Sequence, residues 1–568
     1  MFSFNGIRCF HQSFCFTWQC RIVMGKLVQR TFSSSGNLCN TSWSCVRHSR
    51  LTKINFCFLN SLYTRCLSFS SYQDPKPSRT CINLNTKIRL LNTVREQLKL
   101  YETFKHSMDT VHRVMMLYRI AKIIETDQDQ VLVLDKEREK SRQGQKSSYM
   151  ELLESVKRSI SSCRPHGLAN VMWALGRLVE KDHQLVKVCE KRILSCDMAS
   201  FNNAGLSQIV TGCASLNLRT SEIFCKLEQD ILSGHLEIFA FDNHLLSALL
   251  LTFAKTENGS LELFGVFVKD ILSRDFLWFD SRALASFVWS LAKKKFNAKN
   301  LFHHVQEEIF QRGTKDLHNA EFVQILWSFT KAEMGSRKFL SFLDNELLSR
   351  GIELFENVQL VEVIWSLAKN EMTKSRVFDI VKAEILVRGI NAFQIHELVL
   401  ILWSFVSVKK HDQVLISEVE GKLCTSDVKN FDNGDLCQII WSLAKAEWKE
   451  SKLFDIVEAE VFARGTSQLT IEEKCMLMRG LIEAKRGSKR LYKFMVNSFS
   501  ASDFRNLHKG QILECLWCLY MSGVEAQTLF DALEKELLTK RNYDFNRKQV
   551  AFLETLFKKD WKGNQLTI

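Results

Sequence analysis

One interval governs this chain: Trp289, Trp327, Trp365, Trp403 and Trp441 follow one another at steps of 38 residues, each inside a nearly identical segment such as VIWSLAKNE at 363–371. The same ruler reaches Leu251, Thr211 and Trp173 on one side and Arg479, Trp517 and Thr555 on the other, with a single step of 40 between Thr211 and Leu251. A unit of this length is too small to bury a core alone, so copies must stack and share one. The 568 residues therefore count units of one body rather than separate globular domains.

Each unit holds two helical patterns. The first opens after Phe or Leu with a capping-type residue, as in Phe241-Asp242, Phe279-Asp280 and Phe431-Asp432. The second closes on an acid, three residues, then Arg-Gly: Glu308 to Arg312-Gly313, Glu346 to Arg350-Gly351, Glu384 to Arg388-Gly389 and Glu460 to Arg464-Gly465. That spacing puts acid and arginine on one helix face, with the arginine at the negative dipole end and glycine supplying the positive-φ turn, so these arginines read as structural. The expected fold is an all-α solenoid, a right-handed superhelix of two-helix repeats over 163–568, about ten of them and a C-terminal capping helix. Residues 74–162 are expected to form a helical N-terminal region. In it MMLYRIAKI at 115–123 is a degenerate capping repeat with Tyr118 at the tryptophan position, followed by a charged insertion at 125–147 read as a loop or disordered segment.

Numbering the first helix from its tryptophan as 0, positions −5, −2, −1 and +2 (Leu360, Val363, Ile364, Leu367) fall on one arc and are aliphatic in nearly every unit. Position +3 is mostly Ala, and the tryptophan edges the same arc, which makes core packing its expected role. The strip left over holds −7, −6, −3, +1 and +4. It carries Arg282 at −7; Glu321, Gln359 and Asp435 at −6; Asn170, Gln208, Ser286, Gln324, Glu362 and Gln438 at −3; and serines at +1 such as Ser366. Cations recur at +4, in Lys293, Lys331, Lys369 and Lys445, with Arg177 and Lys255 at the same position earlier in the chain. A constant frame bearing a variable polar pair and repeated cations suits a reader of an extended chain, with stacked helices aligning the strips about 10 Å apart.

The net charge of +14 is unevenly placed. Residues 1–73 carry eight Lys or Arg and no acid, and 74–162 add 17 basic and 12 acidic residues, so the repeats are nearly neutral. Any polyanion site must therefore be a local patch. One such patch is the run Lys485, Arg486, Lys489, Arg490 and Lys493. The acid-free segment 1–73, rich in Ser, Arg and Phe, has the composition of a transit peptide, mitochondrial in preference to plastid, with cleavage-type sequences at 30–35 and 65–70. Seven of the 18 cysteines lie in it; the other eleven are scattered, and several, such as Cys213, Cys437 and Cys515, sit at apolar helical positions, as expected of reduced thiols. Cys515 and Cys518 lack a second pair to complete a zinc site, and neither a catalytic motif nor an apolar run long enough to span a membrane is present.

LANVMWALGRL at 168–178 and ALASFVWSLAKK at 283–294 resemble the first helix of the octotricopeptide-repeat family, whose units are also 38 residues long, and the resemblance covers most of 163–568. The prolines that often open such repeats are missing, and the array reaching Thr555 implies no RAP domain of the kind found in related organellar proteins. The resemblance implies a non-enzymatic protein that needs no cofactor, imported into the mitochondrial matrix. It would place the polar positions of the first helices against single-stranded organellar RNA, mRNA or rRNA, in processing, stability, translation or ribosome assembly. The competing expectation is a protein-binding scaffold within a mitoribosome or RNA-editing complex, which the near-neutral repeats favour.

Overall fold

A computed structural model describes residues 79–557, apart from 181–183, 411–412, 501–503, 506 and 540–544; the expected targeting segment 1–73 lies outside the described residues. Among the described residues there are 26 α-helices and no strand, packed in chain order as an α-solenoid. The first helices are Thr110–Thr126, Pro165–Leu178, Asn203–Ser215, Asn243–Lys255, Ser281–Lys293, Asn319–Ala332, Asn357–Lys369, Ile395–Ser407, Asn433–Lys445, Ile471–Glu483, Lys509–Ser522 and Arg547–Phe557. Each lies against the next in one continuous row, while the second helices, among them Lys299–Arg312 and Val377–Arg388, form a looser row behind.

The first helices start where capping chemistry allows. Asp242 and Asp280 accept the backbone N–H three residues on, at 2.8 and 2.7 Å. Among the described ends only that of Lys509–Ser522 carries a glycine, Gly523 at φ 64°. Nine of them pass into a left-handed residue six positions after the tryptophan site, from Val179 through Lys295 and Glu371 to Lys485, at φ between 53° and 63°. The strain is offset by Schellman-type bonds, in which the next N–H returns to the helix, as from Phe296 to the Leu291 carbonyl at 2.9 Å and from Met372 to Leu367 at 3.0 Å.

The predicted aliphatic arc is the core: Leu360, Val363, Ile364 and Leu367 are all wholly buried. Truncating one of them to alanine would cost about 2–5 kcal/mol. Position +1 is also buried, which departs from the helical-wheel expectation. It forms the seam between neighbouring first helices: a Cβ on Gly212 would lie 2.5 Å from the Met172 carbonyl oxygen, and one on Gly480 would lie 3.1 Å from that of Ile440. Only small residues fit there, and Ser290, Ser328, Ser366, Ser404 and Ser442 are fully buried in the equivalent place.

The arginines that close the second helices are structural, as expected. Arg312 donates to Glu308 at 2.5 Å and to the Phe279 and Phe276 carbonyls at 2.6 and 2.8 Å, tying down the turn that precedes its own first helix. Arg388 and Arg464 pair likewise with Glu384 and Glu460. Arg350 is the exception, because Glu346 instead accepts from Thr314 of the preceding loop and leaves the Arg350 Nε without a partner. Asparagines at the start of the first helices continue the chain of bonds: Asn357 accepts from Arg388 at 2.8 Å and donates to the Ala392 carbonyl of the next unit at 2.7 Å.

Toward the N-terminus the helix Thr110–Thr126 stacks on Pro165–Leu178, with the Tyr118 ring 5.0 Å from Trp173. The insertion at 125–147 is not a loop. It forms the helix Val131–Arg142, with Leu134 buried and Arg138 paired to Glu180 at 2.6 Å. Its charged composition hid a packed helix whose ions pair within it, as Arg138 with Asp135 and Lys140 with Glu137, and through Arg138 with another unit.

Candidate nucleic-acid interface

The open face of the first-helix row is built from three columns of side chains. At −6 the polar residues turn back to cap their own helices: Glu321 accepts the His318 N–H, Gln359 the Glu356 N–H and Asp435 the Asp432 N–H, each at 3.1 Å. Asp435 is buried and also meets His396 Nδ1 of the preceding unit at 2.7 Å, which raises the imidazole pKa. These three residues shape the helix ends rather than standing free on the face. The cluster His396, Asp432 and Asp435 has metal-like spacing, but both acids are already engaged in capping.

At −3, Asn170, Gln208, Gln324, Glu362 and Gln438 are half-buried, whereas Ser286 is buried. Asn170 bonds to His166 at 3.2 Å. The side-chain oxygens of Gln208 and Gln438 have no hydrogen-bond partner, and burial raises the Glu362 carboxyl to about 7. This column is therefore polar, partly sheltered and incompletely bonded within the protein.

At +4, Lys293, Lys331, Lys369 and Lys445 are exposed, as are Lys255 and Arg177, and Arg282 at −7 is exposed too. Lys255, Lys293, Lys331 and Lys369 have no acidic partner among the described residues. Lys331 has its pKa lowered by burial and then by Lys295, Lys369 and Lys293; Lys255 is lowered by burial and then by Arg282 and Arg177. Lys331 and Lys255 reach solvent while the protein around them takes part of their solvation. The fold thus gathers two cation groups from separate units. Lys295 belongs to the group around Lys331 and was missed in the sequence because it lies beyond the helix, on the left-handed cap; its only signal is a basic residue at +6.

Between the columns run the tryptophans, half-buried rather than wholly in the core. Trp289 and Trp327, Trp327 and Trp365, and Trp403 and Trp441 lie 6.2–6.4 Å apart at 31–33°, forming a tilted ladder. Lys331 stands 5.9 Å over the Trp365 ring. Cys515 and Cys518 are buried thiols, the former 3.4 Å from Cys475, and no disulfide is present among the described residues.

No family model and no curated protein sequence matches the chain. No described helix is long and apolar enough to cross a membrane.

Proposed function

We propose that this chain is a non-catalytic, RNA-binding helical-repeat protein that holds single-stranded organellar RNA along its first-helix row. The observation that carries the reading is the cation column from Lys255 to Lys369, which has no acidic partner among the described residues and in which Lys295, Lys369 and Lys293 add to burial in lowering the Lys331 pKa. Like charges gathered without counter-ions raise the energy of the free protein, and a polyanionic strand relieves that repulsion on binding. Beside the column, Gln324, Glu362 and Gln438 offer polar groups that vary from unit to unit, as base selection requires. The acid-free leader at 1–73 and the resemblance to octotricopeptide repeats support action in the mitochondrial matrix, with plastid as the alternative. There the bound RNA would be protected, processed, translated or placed in a ribosome.

Fluorescence polarisation with the full chain and labelled organellar RNA tests this. Replacing Lys293, Lys331 and Lys369 together by Ala should lower affinity about tenfold or more and reduce the salt slope by about 2, at roughly 0.7 per lost phosphate contact. Gln324 or Gln438 variants should instead change which sequences bind. Equal binding by parent and triple variant would remove the interface from this face. Absence of any RNA binding at moderate salt would favour the scaffold reading.

A further inference from the structure

The ends of the first helices opposite the +4 lysines carry a different surface. Short 3-10 turns, Ile238–Ala240, Phe276–Trp278 and Ile352–Leu354, precede the first helices of the Leu251, Trp289 and Trp365 units. They leave Phe239, Leu277, Trp278 and Leu354 between 69% and 78% exposed, and Val358 beside the last turn is 50% exposed. Capping needs none of these large side chains. The corresponding turn at 390–392 carries Asn391 and Ala392, and the one at 428–430 carries Lys429 and Asn430. The backbone that presents them is held in place, since Asn243 donates to the Trp278 carbonyl at 3.0 Å and Asn203 to that of Ala240 at 3.1 Å.

Exposed carboxylates flank these apolar groups along the chain: Glu237, Asp242, Asp275, Asp280, Glu353 and Glu356. Asp242, Asp275 and Asp280 accept backbone N–H groups, and none of the six has a cationic side-chain partner among the described residues. Arg274 and Arg312 face the backbone instead: Arg274 is spent on Asp270 and on the Phe241 and Ile238 carbonyls, Arg312 on Glu308 and the Phe279 and Phe276 carbonyls. The first-helix row therefore has a basic column at the C-terminal ends of its helices and, in these units, a largely acidic, apolar rim at their N-terminal ends, where Arg282 in the first turn of Ser281–Lys293 is exposed beside Asp280. A phosphate backbone is repelled by such a rim, whereas a cationic chain with large apolar side chains complements it in both respects.

We propose that this rim is a second interface, which binds a protein segment bearing both Lys or Arg and large apolar side chains. The held turns act as preformed anchors, so little ordering is required on docking. One face would then engage RNA while the rim engages a basic protein.

The test uses the full chain and a labelled synthetic peptide in which Lys alternates with Leu and Phe, read by anisotropy. Binding should fall at least about tenfold for the Phe239→Ser, Trp278→Ser double variant, as for loss of central apolar anchors. A peptide with Glu in place of Lys, or Ser in place of Leu and Phe, should bind similarly weakly. Labelled oligouridylate should bind parent and double variant alike, and the exposed positions should leave the melting temperature unchanged. The proposal is overturned if the parent does not bind the basic peptide or if the double variant binds it equally well. It is also overturned if the double variant loses oligouridylate, which would assign these aromatics to base stacking. The peptide arm does not depend on the lysine column, so failure here and failure of the RNA reading are separable.

Discussion

Two stretches of the same first-helix row treat charge in opposite ways. From the Leu251 to the Trp365 unit, position +4 is lysine four times and no acid answers it. From Trp441 to Trp517 the same register is closed by ion pairs: Lys445 meets Glu483 at 2.8 Å, Glu483 meets Arg479 at 2.9 Å and Arg479 meets Glu514 at 2.7 Å. Glu483, although burial works the other way, is held below its ordinary range by Lys445 and Arg479. Even the later basic run is partly occupied, with Arg486 on Asp455 at 3.1 Å and Arg490 5.1 Å over Phe462. The backbone repeat is one design, but only the first stretch keeps its cations available. A period alone therefore does not make every unit a binding unit.

The largest expected effect comes from reversing that availability. Lys293→Glu, Lys331→Glu and Lys369→Glu together should weaken RNA binding by about 100-fold near 0.1 M salt. Lys445→Glu, in the neutralised stretch, should change it by less than about threefold, because that lysine already spends its charge on Glu483. Equal losses in the two stretches would break the contrast.

The −3 carboxylates give the next effect. Glu514 has Arg479 beside it, whereas burial alone lifts Glu362 from 4.5 to about 7. Below pH 4.5 the folded and unfolded chains both carry the Glu362 proton, so there is no penalty. Between those values the unfolded chain ionises while the folded one holds its proton, and stability falls as pH rises until about 7. Discounted for the partial exposure of Glu362, the loss is about 1–2 kcal/mol. Urea unfolding at pH 5 and pH 8 should show this slope in the parent and not in Glu362→Gln. An unchanged slope in the variant would mean that Glu362 is not the group responsible.

A smaller effect should convert the second stretch toward the first. Glu483→Gln with Glu514→Gln frees Lys445 and Arg479, and should raise RNA affinity about two- to fivefold and steepen the salt slope by about 1. If affinity does not rise, free cations are not what distinguishes the two stretches.

Much of this was legible in the sequence. The 38-residue ruler located the first helices, and the arc holding Leu360, Val363, Ile364 and Leu367 is the core. The wheel failed at +1, which it left in the open strip. Stacking covers both flanks of the first helix, so +1 enters the seam and Ser286 is buried as well. Position −6 looked open because capping consumes polar side chains without burying all of them, as Glu321 and Gln359 show. The charged composition of 125–147 concealed the helix Val131–Arg142, whose Arg138 is answered both by Asp135 one turn back and by Glu180 from another unit, the second of which sequence spacing does not reveal.

The smallest effect tests the seam itself. Ser290 and Ser404 donate to the carbonyls four residues back, each at 2.6 Å, whereas the hydroxyl oxygens of Ser366 and Ser442 are buried without a partner. Replacing Ser366 by Ala removes an unsatisfied buried group and leaves the close approach intact, so stability should stay level or rise by up to about 1 kcal/mol. Ser404→Ala removes a made bond and should lower stability by a similar amount. Neither change should alter RNA affinity, because a residue enclosed between two helices cannot meet a base. A change in sequence preference with Ser366→Ala would return +1 to the binding face and require the first helices to part when RNA binds.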